Sequence, residues 1–274
     1  MAYRKILTIQ DISCVGQCSL TVALPIISAC GIETCVLPSA VLSTHTAGFR
    51  GYTFRDLTED MPAIMEHWVK EGISFEAVYT GYLGSAKQID HVADIFVRTV
   101  AENCVKIVDP AMADNGKLYP AFDAAFAEAM KGLCGKADYI LPNITEACFL
   151  TGVPYKTEYD RAYIDELLGK LPAKNVILTG VSYAPGRTGV VVAENGGYSY
   201  YEHELLPNSC HGTGDIYASA FTGALMRGKS ACDAARIAAD YTVECIRATA
   251  EEQNHWYGAK FEPVLWKLIH ALGE

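Results

Sequence analysis

Short apolar runs alternate with segments of helical periodicity along most of the chain. The runs are "KILTIQ", "ETCVLP", "FEAVYTG", "CVKIVDP", "DYILPN" and "NVILTG", and each is typical of a buried strand. Between them lie segments such as 61–71, in which apolar residues recur every three or four positions. Because a parallel crossover usually needs a helix, this order predicts an α/β fold in which helices cover both faces of a mostly parallel central sheet.

The sequence offers no clear boundary between domains. No segment is rich enough in Pro, Gly or Ser to act as a linker, and no internal repeat is present. We therefore expect one domain over residues 1–274. Towards its end, "GVVVAENGGYSYYEHEL" predicts a β-hairpin that turns at "ENGG", and helices are predicted over 215–228, 231–249 and 261–272.

The composition argues against two classes of partner. The formal net charge is −10 at pH 7 and no Lys/Arg-rich run is present, which opposes binding to nucleic acid. The stretch 12–32 contains no charged residue and approaches the length of a membrane span. Pro25 and five polar side chains interrupt it, so a loop followed by a buried helix is the better interpretation, and no membrane partner is expected.

The ten cysteines indicate a reducing compartment. They are scattered, form no CxxC pair and follow an N-terminus without a signal peptide, so we expect a cytoplasmic protein. Cys14 and Cys18 are the nearest pair, but no second Cys/His pair accompanies them at the spacing of a zinc site. Buried thiols are therefore expected rather than a zinc centre.

Polar residues gather where the predicted strands end. In open parallel sheets, ligands bind outside the carboxyl ends of the strands, so a polar residue at such an end is a candidate for function. Five residues lie at or just beyond a predicted strand end: Asp11, Tyr82, Asp109, Asn143 and Thr179.

The loop "HGTGD" has the composition of a phosphate-binding turn. Gly212 and Gly214 would let the backbone approach an anion at the start of a helix, whose unpaired N–H groups favour negative charge. Asp215 would then lie beside the bound phosphate. A helix cap formed by Asp215 explains the same residues, and the loop alone leaves both interpretations open.

A resemblance to a known family extends along nearly the whole chain. No Walker A loop is present, but "STHTAGF", "TGYLGS", "DPAMADNGKLY", "PNITE", "ILTG" and "GTGD" occur in the order found in the vitamin-kinase branch of the ribokinase-like superfamily. Within that branch the chain most resembles the pyridoxal/pyridoxamine kinases. The resemblance implies a ribokinase-like three-layer α/β/α sandwich and ATP-dependent phosphorylation of the 5′-hydroxymethyl group of vitamin B6, whether pyridoxal, pyridoxamine or pyridoxine.

The resemblance also implies roles on the phosphate side of the site. Asp215 is expected to be the catalytic base, with an anion hole made by the backbone of Gly212, Thr213 and Gly214. The residues implied to lie beside ATP are Asp109, Asn143, Thr179 and Gly214, and those implied to hold Mg²⁺ are Asp114 and Glu146. A homodimer is implied as well, and a monovalent cation such as K⁺ is left open as a further cofactor.

Several of these residues also have ordinary structural explanations. Asn143 and Glu146 have the spacing of a helix capping box, Asp109 precedes a proline as turn residues do, and Thr179 suits a packed strand. The segment "DNGKLY" is either a flap over ATP or a plain surface loop. Ala111 and Ala113 also depart from the family's usual DPVMGD motif.

The resemblance places the alcohol acceptor beside Asp11, His45, Thr46 and Tyr82. Asp11 is a departure, because the better-known pyridoxal kinases have a serine after the glutamine of "IQDIS". We hypothesise that Asp11 pairs with a protonated ring nitrogen or with the ammonium group of pyridoxamine. The other three side chains have structural alternatives as loop or packing residues.

Two other functions compete with this prediction. A hydroxymethylpyrimidine (phosphate) kinase of thiamine synthesis also phosphorylates a hydroxymethyl heterocycle, but its usual N-terminal glycine-rich motif is missing and "STHT" favours vitamin B6. A non-catalytic B6-vitamer-binding protein could share the scaffold. The intact Gly214-Asp215 pair argues against that alternative.

Overall fold

The structure is a computed structural model, and it describes residues 4–207, 210–252 and 254–273. Within these residues, nine strands form one sheet in the order β11-β10-β9-β8-β5-β4-β1-β2-β3, and β6 and β7 form a separate hairpin. The strands are β1 (Lys5–Ser13), β2 (Glu33–Leu42), β3 (Phe54–Asp56), β4 (Phe75–Thr80), β5 (Val100–Val108), β6 (Ala113–Asp114), β7 (Lys117–Leu118), β8 (Tyr139–Ile140), β9 (Asn175–Val181), β10 (Arg187–Glu194) and β11 (Gly197–Glu204).

The central sheet is mostly parallel, as the alternation of elements predicts. The six strands from β9 to β2 pair in parallel, and the strands that pair antiparallel lie at the two edges. At one edge, β10 and β11 form the predicted hairpin, whose turn places Asn195 and Gly196 at positive φ. At the other edge lies β3, which sequence periodicity did not reveal because its three residues are all exposed.

Helices cover both faces of this sheet. They are α1 (Leu20–Ala29), α2 (Met61–Lys70), α3 (Ala86–Arg98), α4 (Ala124–Cys134), α5 (Ile144–Thr151), α6 (Arg161–Lys170), α7 (Thr213–Met226), α8 (Ala231–Ala250) and α9 (Leu265–Ala271). Ile6 and Tyr79 pack into one apolar cluster with α1, α7 and α8, whereas their neighbours Leu7 and Val78 pack into a second cluster with α2 to α6. Successive strand residues point to opposite faces, so the three-layer α/β/α prediction is confirmed.

Some boundaries differ from those expected. β1 continues to Ser13, so Asp11 lies inside the strand, where the pairing with β2 shifts between Gln10 and Ile12. The helix predicted over 261–272 is divided into a 3₁₀ turn (Glu262–Val264) and α9. Proline has no N–H to donate, and Pro263 lies in that turn.

The uncharged stretch near the N-terminus forms the predicted loop and helix. Pro25 lies inside α1, whose core-facing residues are buried. Cys14 and Cys18, which precede the helix, are both free thiols. In the part of the chain that the structure describes, no helix has the length and apolar character needed to cross a membrane.

Candidate active site

The glycine-rich loop leads directly into α7. Gly212 is the N-cap of this helix and has a φ of 78°, a conformation that favours glycine. A Cβ at this position would lie 1.8 Å from the backbone oxygen of Gln17, so no larger residue fits. A Cβ at Gly214 would meet no atom within 4 Å, which leaves open space beside the first turn of α7. The start of this helix is therefore accessible to an anion.

Asp215 lies in the first turn of α7, after the N-cap, so the interpretation of Asp215 as the helix cap is wrong. The backbone N–H of Ser19 lies within hydrogen-bonding reach of its carboxylate. Burial raises the pKa of Asp215 to about 7, the Ser19 hydrogen bond opposes this rise, and the nearby charge of Asp11 adds to it. A carboxylate with this pKa is suited to accept a proton near neutral pH.

Glu146 forms the capping box that its spacing with Asn143 predicts. The backbone N–H of Asn143 donates to Glu146 Oε2 at 2.8 Å, and the N–H of Glu146 donates to Asn143 Oδ1 at 2.9 Å. The N–H of Met112 donates to the second carboxylate oxygen, Oε1, at 3.1 Å. Glu146 is only 4% exposed, and burial raises its pKa to about 8. The cap thus fixes this carboxylate beside the loop that follows β5.

Asp109 brings a second buried carboxylate into the same region. Burial raises the pKa of Asp109 well above its ordinary value, and the charges of Glu146 and Asp215 raise it further. The pKa of Tyr119 is also raised, chiefly by burial and also by these three acids and Asp114. The acidic residues predicted from separate motifs are therefore neighbours.

This cluster suits a hard divalent cation. Among the described residues, no three His, Cys, Asp or Glu side chains form a ready-made cage for a metal ion. Mg²⁺ does not need one, since it retains water ligands and is usually bound by one or two carboxylates together with phosphate oxygens. A cation near Asp109 and Glu146 would also relieve the repulsion between their negative charges.

The "DNGKLY" segment is an ordered hairpin formed by β6 and β7. Asn115 and Gly116 make its turn, both at positive φ, and Asp114 accepts hydrogen bonds from the backbone and side chain of Asn115. The N–H of Gly116 donates to Thr145 Oγ1 at 3.0 Å, which ties the turn to α5. A Cβ at Gly116 would lie 2.7 Å from the ring of Tyr155. The exposed Asp114 therefore stands on a well-defined turn.

Two residues predicted to lie beside ATP are adjacent at the ends of β8 and β9. Asn143 and Thr179 form an isolated β-bridge, and the N–H of Thr179 donates to the oxygen of Pro142 at 2.9 Å. The Asn143 side-chain amide donates to the oxygen of Ala113 at 2.9 Å. Asn143 thus connects the hairpin to the start of α5, while the partly exposed Thr179 borders the same strand ends.

Asp11 lies on the other side of Asp215, in β1. Ser13 Oγ donates to Asp11 Oδ2 at 3.0 Å, and the hydroxyl of Ser19 lies within hydrogen-bonding reach. Burial raises the pKa of Asp11, although these hydrogen bonds oppose the rise. The pKa of Tyr82 is raised to about 12, first by burial and then by the charge of Asp11. Asp11, Tyr82 and Asp215 are therefore brought together.

His45 and Thr46 occupy different environments. The N–H of Ala47 donates to His45 Nδ1 at 3.1 Å, and His45 Nε2 lies 2.8 Å from the oxygen of Tyr257. This pattern selects the tautomer that carries its proton on Nε2, and it engages both ring nitrogens within the protein. Thr46 is exposed to solvent. His45 is therefore buried and engaged within the protein, whereas the side chain of Thr46 is solvent-exposed.

Comparison with known proteins identifies the family. The family model described as phosphomethylpyrimidine kinase matches residues 24–260. The chain belongs to this kinase family. It is 29% identical to a pyridoxine/pyridoxal/pyridoxamine kinase of Bordetella pertussis, over 90% of this chain and 89% of that one. It is also 30% identical to a hydroxymethylpyrimidine/phosphomethylpyrimidine kinase of Bacillus subtilis, over 77% of each chain.

Solved structures agree with the ribokinase-like fold of this kinase. A Bacteroides thetaiotaomicron protein assigned as a phosphomethylpyrimidine kinase, crystallised with pyridoxal, is 37% identical and has a TM-score of 0.89 over 99% of this chain and 96% of that chain. A pyridoxal kinase from Lactobacillus plantarum is 29% identical and also has a TM-score of 0.89, over 97% of each chain. Both similarities extend over at least 97% of this chain.

Sequence reasoning missed a buried polar layer beneath α7. The side chains of Gln10, Tyr79 and Ser219 are fully buried, and Gln10 Oε1, Tyr79 OH and Ser219 Oγ have no well-formed hydrogen bond. Ser219 follows Asp215 by four residues, so both lie on one face of α7. The available signal was the four-residue spacing of Asp215 and Ser219 in a helix whose other residues are mostly small or apolar. Ser19, which contacts Asp215, was also missed.

Proposed function

We propose that this kinase transfers the γ-phosphate of ATP to the 5′-hydroxymethyl group of vitamin B6. The observation that carries the proposal is the position of Asp215, which lies in the first turn of α7 and has the charge of Asp11 nearby. The relatives named as pyridoxal kinases, and the pyridoxal bound to the Bacteroides protein, support a B6 vitamer as the acceptor.

Asp215 is proposed to act as the base. Full prior deprotonation of the alcohol by a carboxylate would be too costly, but a loose phosphoryl-transfer transition state needs chiefly an aligned oxygen and a late proton acceptor. A pKa of about 7 makes Asp215 a stronger base than an ordinary aspartate, yet leaves it largely ionised above neutral pH. The backbone of Gly212, Thr213 and Gly214 would hold the charge that develops on the phosphate.

The opposite side of the site is proposed to hold ATP with Mg²⁺. Asp109 and Asp114 are available as direct ligands, whereas Glu146 already accepts two backbone hydrogen bonds and would act through water. When bound, Mg²⁺ supplies positive charge to the phosphates. Asn143 and Thr179 would border the nucleotide at the ends of β8 and β9. A monovalent cation such as K⁺ is a further candidate cofactor.

The acceptor ring is proposed to lie between Tyr82 and Asp11. Asp11 would pair with a protonated ring nitrogen or an ammonium group, and Tyr82 would pack on the ring. Thr46 is exposed and would contact a ring substituent. His45, whose nitrogens are engaged by Ala47 and Tyr257, would support the shape of the acceptor loop.

A hydroxymethylpyrimidine kinase is the second candidate function. The Bacillus subtilis relative and the name of the matching family favour it. Its acceptor is also a hydroxymethyl heterocycle, so the same base and the same phosphate loop would serve. The two functions differ in the ring that must fit beside Asp11 and Tyr82.

An ADP-formation assay with separate acceptors distinguishes these functions. Purified protein with ATP and Mg²⁺ is given pyridoxal, pyridoxamine, pyridoxine or hydroxymethylpyrimidine. We expect ADP to form with at least one B6 vitamer at a higher kcat/KM than with hydroxymethylpyrimidine. The reverse preference would support the thiamine-pathway function, and tight vitamer binding without ADP would support a non-catalytic binder.

We also propose that the kinase is a cytoplasmic homodimer that acts on small molecules, without nucleic-acid or membrane partners. The family resemblance supports the dimer, and the acidic net charge of −10 opposes nucleic acid. Light scattering coupled to gel filtration should give twice the chain mass of 29.8 kDa. A mass equal to that of one chain would contradict the dimer.

A further inference from the structure

Ser19 has a backbone conformation that glycine would adopt more easily. Its φ is 55° and its ψ is −131°, outside the left-handed helical region. Of the described residues other than glycine, only Asn115 and Asn195 also have positive φ, and each precedes a glycine in a hairpin turn that tolerates it. Ser19 has no such turn to explain its conformation. Strain of this kind persists only where the surrounding structure imposes it.

Ser19 does not offset this strain by capping a helix. It is the N-cap residue of α1, a position at which serine usually accepts a hydrogen bond from a backbone N–H of the first turn, but its side chain makes no such bond. Ser19 is only 5% exposed, so solvation does not explain a polar side chain here either. What serine offers over glycine at this position is its hydroxyl group.

Both polar groups of Ser19 face acidic residues of the site. Its backbone N–H lies within hydrogen-bonding reach of the carboxylate of Asp215, and its hydroxyl lies within hydrogen-bonding reach of Asp11. Asp11 also accepts a hydrogen bond from Ser13, so two hydroxyl groups hold this one carboxylate. One residue thus connects the side chain proposed to bind the acceptor ring with the side chain proposed to deprotonate its alcohol.

We infer that Ser19 is a positioning residue that fixes the orientation of Asp11 relative to Asp215. When Asp11 binds the ring of a B6 vitamer, the hydroxymethyl group of that ring then lies beside Asp215. The hydroxyl orients Asp11 towards the positive group of the acceptor, and the backbone N–H orients Asp215 towards the alcohol. This inference rests on the proposed function, because it requires Asp11 to contact the acceptor.

The inference explains why glycine is absent at a position whose backbone favours it. Glycine would keep the N–H that faces Asp215 but would leave Asp11 with one hydroxyl partner, Ser13. A carboxylate held by hydrogen bonds presents its charge in a defined direction, which favours a charge-assisted contact with a ring N–H⁺ or an ammonium group. The strained serine therefore serves recognition of the acceptor rather than helix formation.

The test is a double-mutant cycle on acceptor binding with the full-length protein. Ser19→Gly, Ser19→Ala, Asp11→Ser and Ser19→Gly/Asp11→Ser are compared with wild type for kcat and KM with pyridoxal and pyridoxamine at saturating ATP and Mg²⁺. We expect Ser19→Gly and Ser19→Ala each to raise the acceptor KM by about 5- to 10-fold, as for loss of one hydrogen bond of typical strength. The kcat should change by less than about 3-fold, because both variants keep the backbone N–H.

The cycle separates positioning from a general structural effect. In the Asp11→Ser background, Ser19→Gly should change KM by less than about 2-fold, because the group that Ser19 orients is gone. Ser19→Gly should keep a melting temperature at or above that of wild type, since it relieves strain, so a loss of affinity cannot be assigned to misfolding. Ser13→Ala is the matched control, because it removes the other hydroxyl that contacts Asp11 but from an unstrained strand position. It should raise the acceptor KM by a similar factor.

Two results would overturn the role of Ser19. One is an unchanged acceptor KM in Ser19→Gly and Ser19→Ala, and the other is an equal rise in KM with and without Asp11. Failure of the proposed function would look different, because the wild-type protein itself would then form no ADP with any B6 vitamer. If the wild type is active and the effects of Ser19→Gly and Asp11→Ser on KM are additive, the inference about Ser19 is rejected while the proposed function stands.

Discussion

At the scale of single residues, the environment of Asp215 links the chemistry of the site to protein stability. Burial raises its pKa from 3.8 to about 7, so between these pH values the folded protein binds a proton that the unfolded chain has released. Its contribution to stability is therefore full below about pH 4 and is lost as the pH rises through 7.

Asp215→Asn should reveal this contribution, because asparagine stays neutral at every pH. We expect the variant to be more stable than wild type at pH 8, with a gain in unfolding free energy of about 1–2 kcal/mol that shrinks towards pH 5. Urea unfolding at both pH values measures the difference. Asp90→Asn, at an exposed helix position, is the matched control and should show no such trend. A gain that is equal at both pH values would contradict the raised pKa.

Single residues also show where reasoning from sequence stops. Strand ends and ordered motifs were sufficient to select Asp109, Glu146 and Asp215, and the structure places these three close together. The sequence could not show that both ring nitrogens of His45 are engaged within the protein. Nor could it show the strained backbone of Ser19, because that conformation is imposed by tertiary contacts and no local residue pattern encodes it.

At the scale of elements, the loop that starts α7 contains two glycines with different requirements. A Cβ at Gly212 would collide with the backbone of Gln17, and its φ is positive, whereas a Cβ at Gly214 would meet nothing. Gly212→Ala should therefore lower the unfolding free energy by about 1–3 kcal/mol. Gly214→Ala should retain wild-type stability but lose turnover, if its backbone faces phosphate.

Thermal unfolding and kcat measured on both glycine variants test this distinction. The expected pattern is a lower melting temperature for Gly212→Ala and a lower kcat alone for Gly214→Ala. Equal stability of the two variants would contradict the close approach of Gln17. Full activity of Gly214→Ala would show that the open space beside Gly214 is not used by phosphate.

The β6–β7 hairpin depends on α5 for its position. Thr145→Val removes the hydroxyl that accepts from the N–H of Gly116, and we expect the KM for ATP to rise about 3- to 10-fold, in line with loss of one hydrogen bond. Thr145→Ser keeps the hydroxyl and should restore the wild-type KM. Steady-state kinetics with ATP as the varied substrate provide the measurement. An unchanged KM in Thr145→Val would indicate that the hairpin does not contribute to nucleotide binding.

At the scale of the whole molecule, the alternation of strands and helices was enough to predict the layered sheet. Each predicted strand became one of the paired strands, because a buried apolar run has few other ways to pack. The order of strands was not predictable in the same way, since β1 pairs with β4 and β2 through contacts distant in sequence. The exposed edge strand β3 lacked an apolar pattern altogether.

This strand order is what creates the candidate site. It places the ends of β1, β4, β5, β8 and β9 beside one another, and α7 begins above them with its glycine-rich loop. Asp11 comes from one side of this row, and Glu146 follows β8 on the other. The proposed acceptor and nucleotide sides thus meet at Asp215, which is close in space to Asp11 and Asp109 although both lie more than 100 residues before it in the sequence.

Asp215 is proposed to accept the proton of the alcohol of a B6 vitamer during phosphorylation by ATP. The direct measurement is the rate of phosphorylated-vitamer formation, followed by mass spectrometry, for wild type and Asp215→Asn with saturating ATP, Mg²⁺ and pyridoxal at pH 8. We expect product from wild type and a rate at least about 10²-fold lower from the folded variant. A folded Asp215→Asn protein with near-wild-type turnover would contradict it.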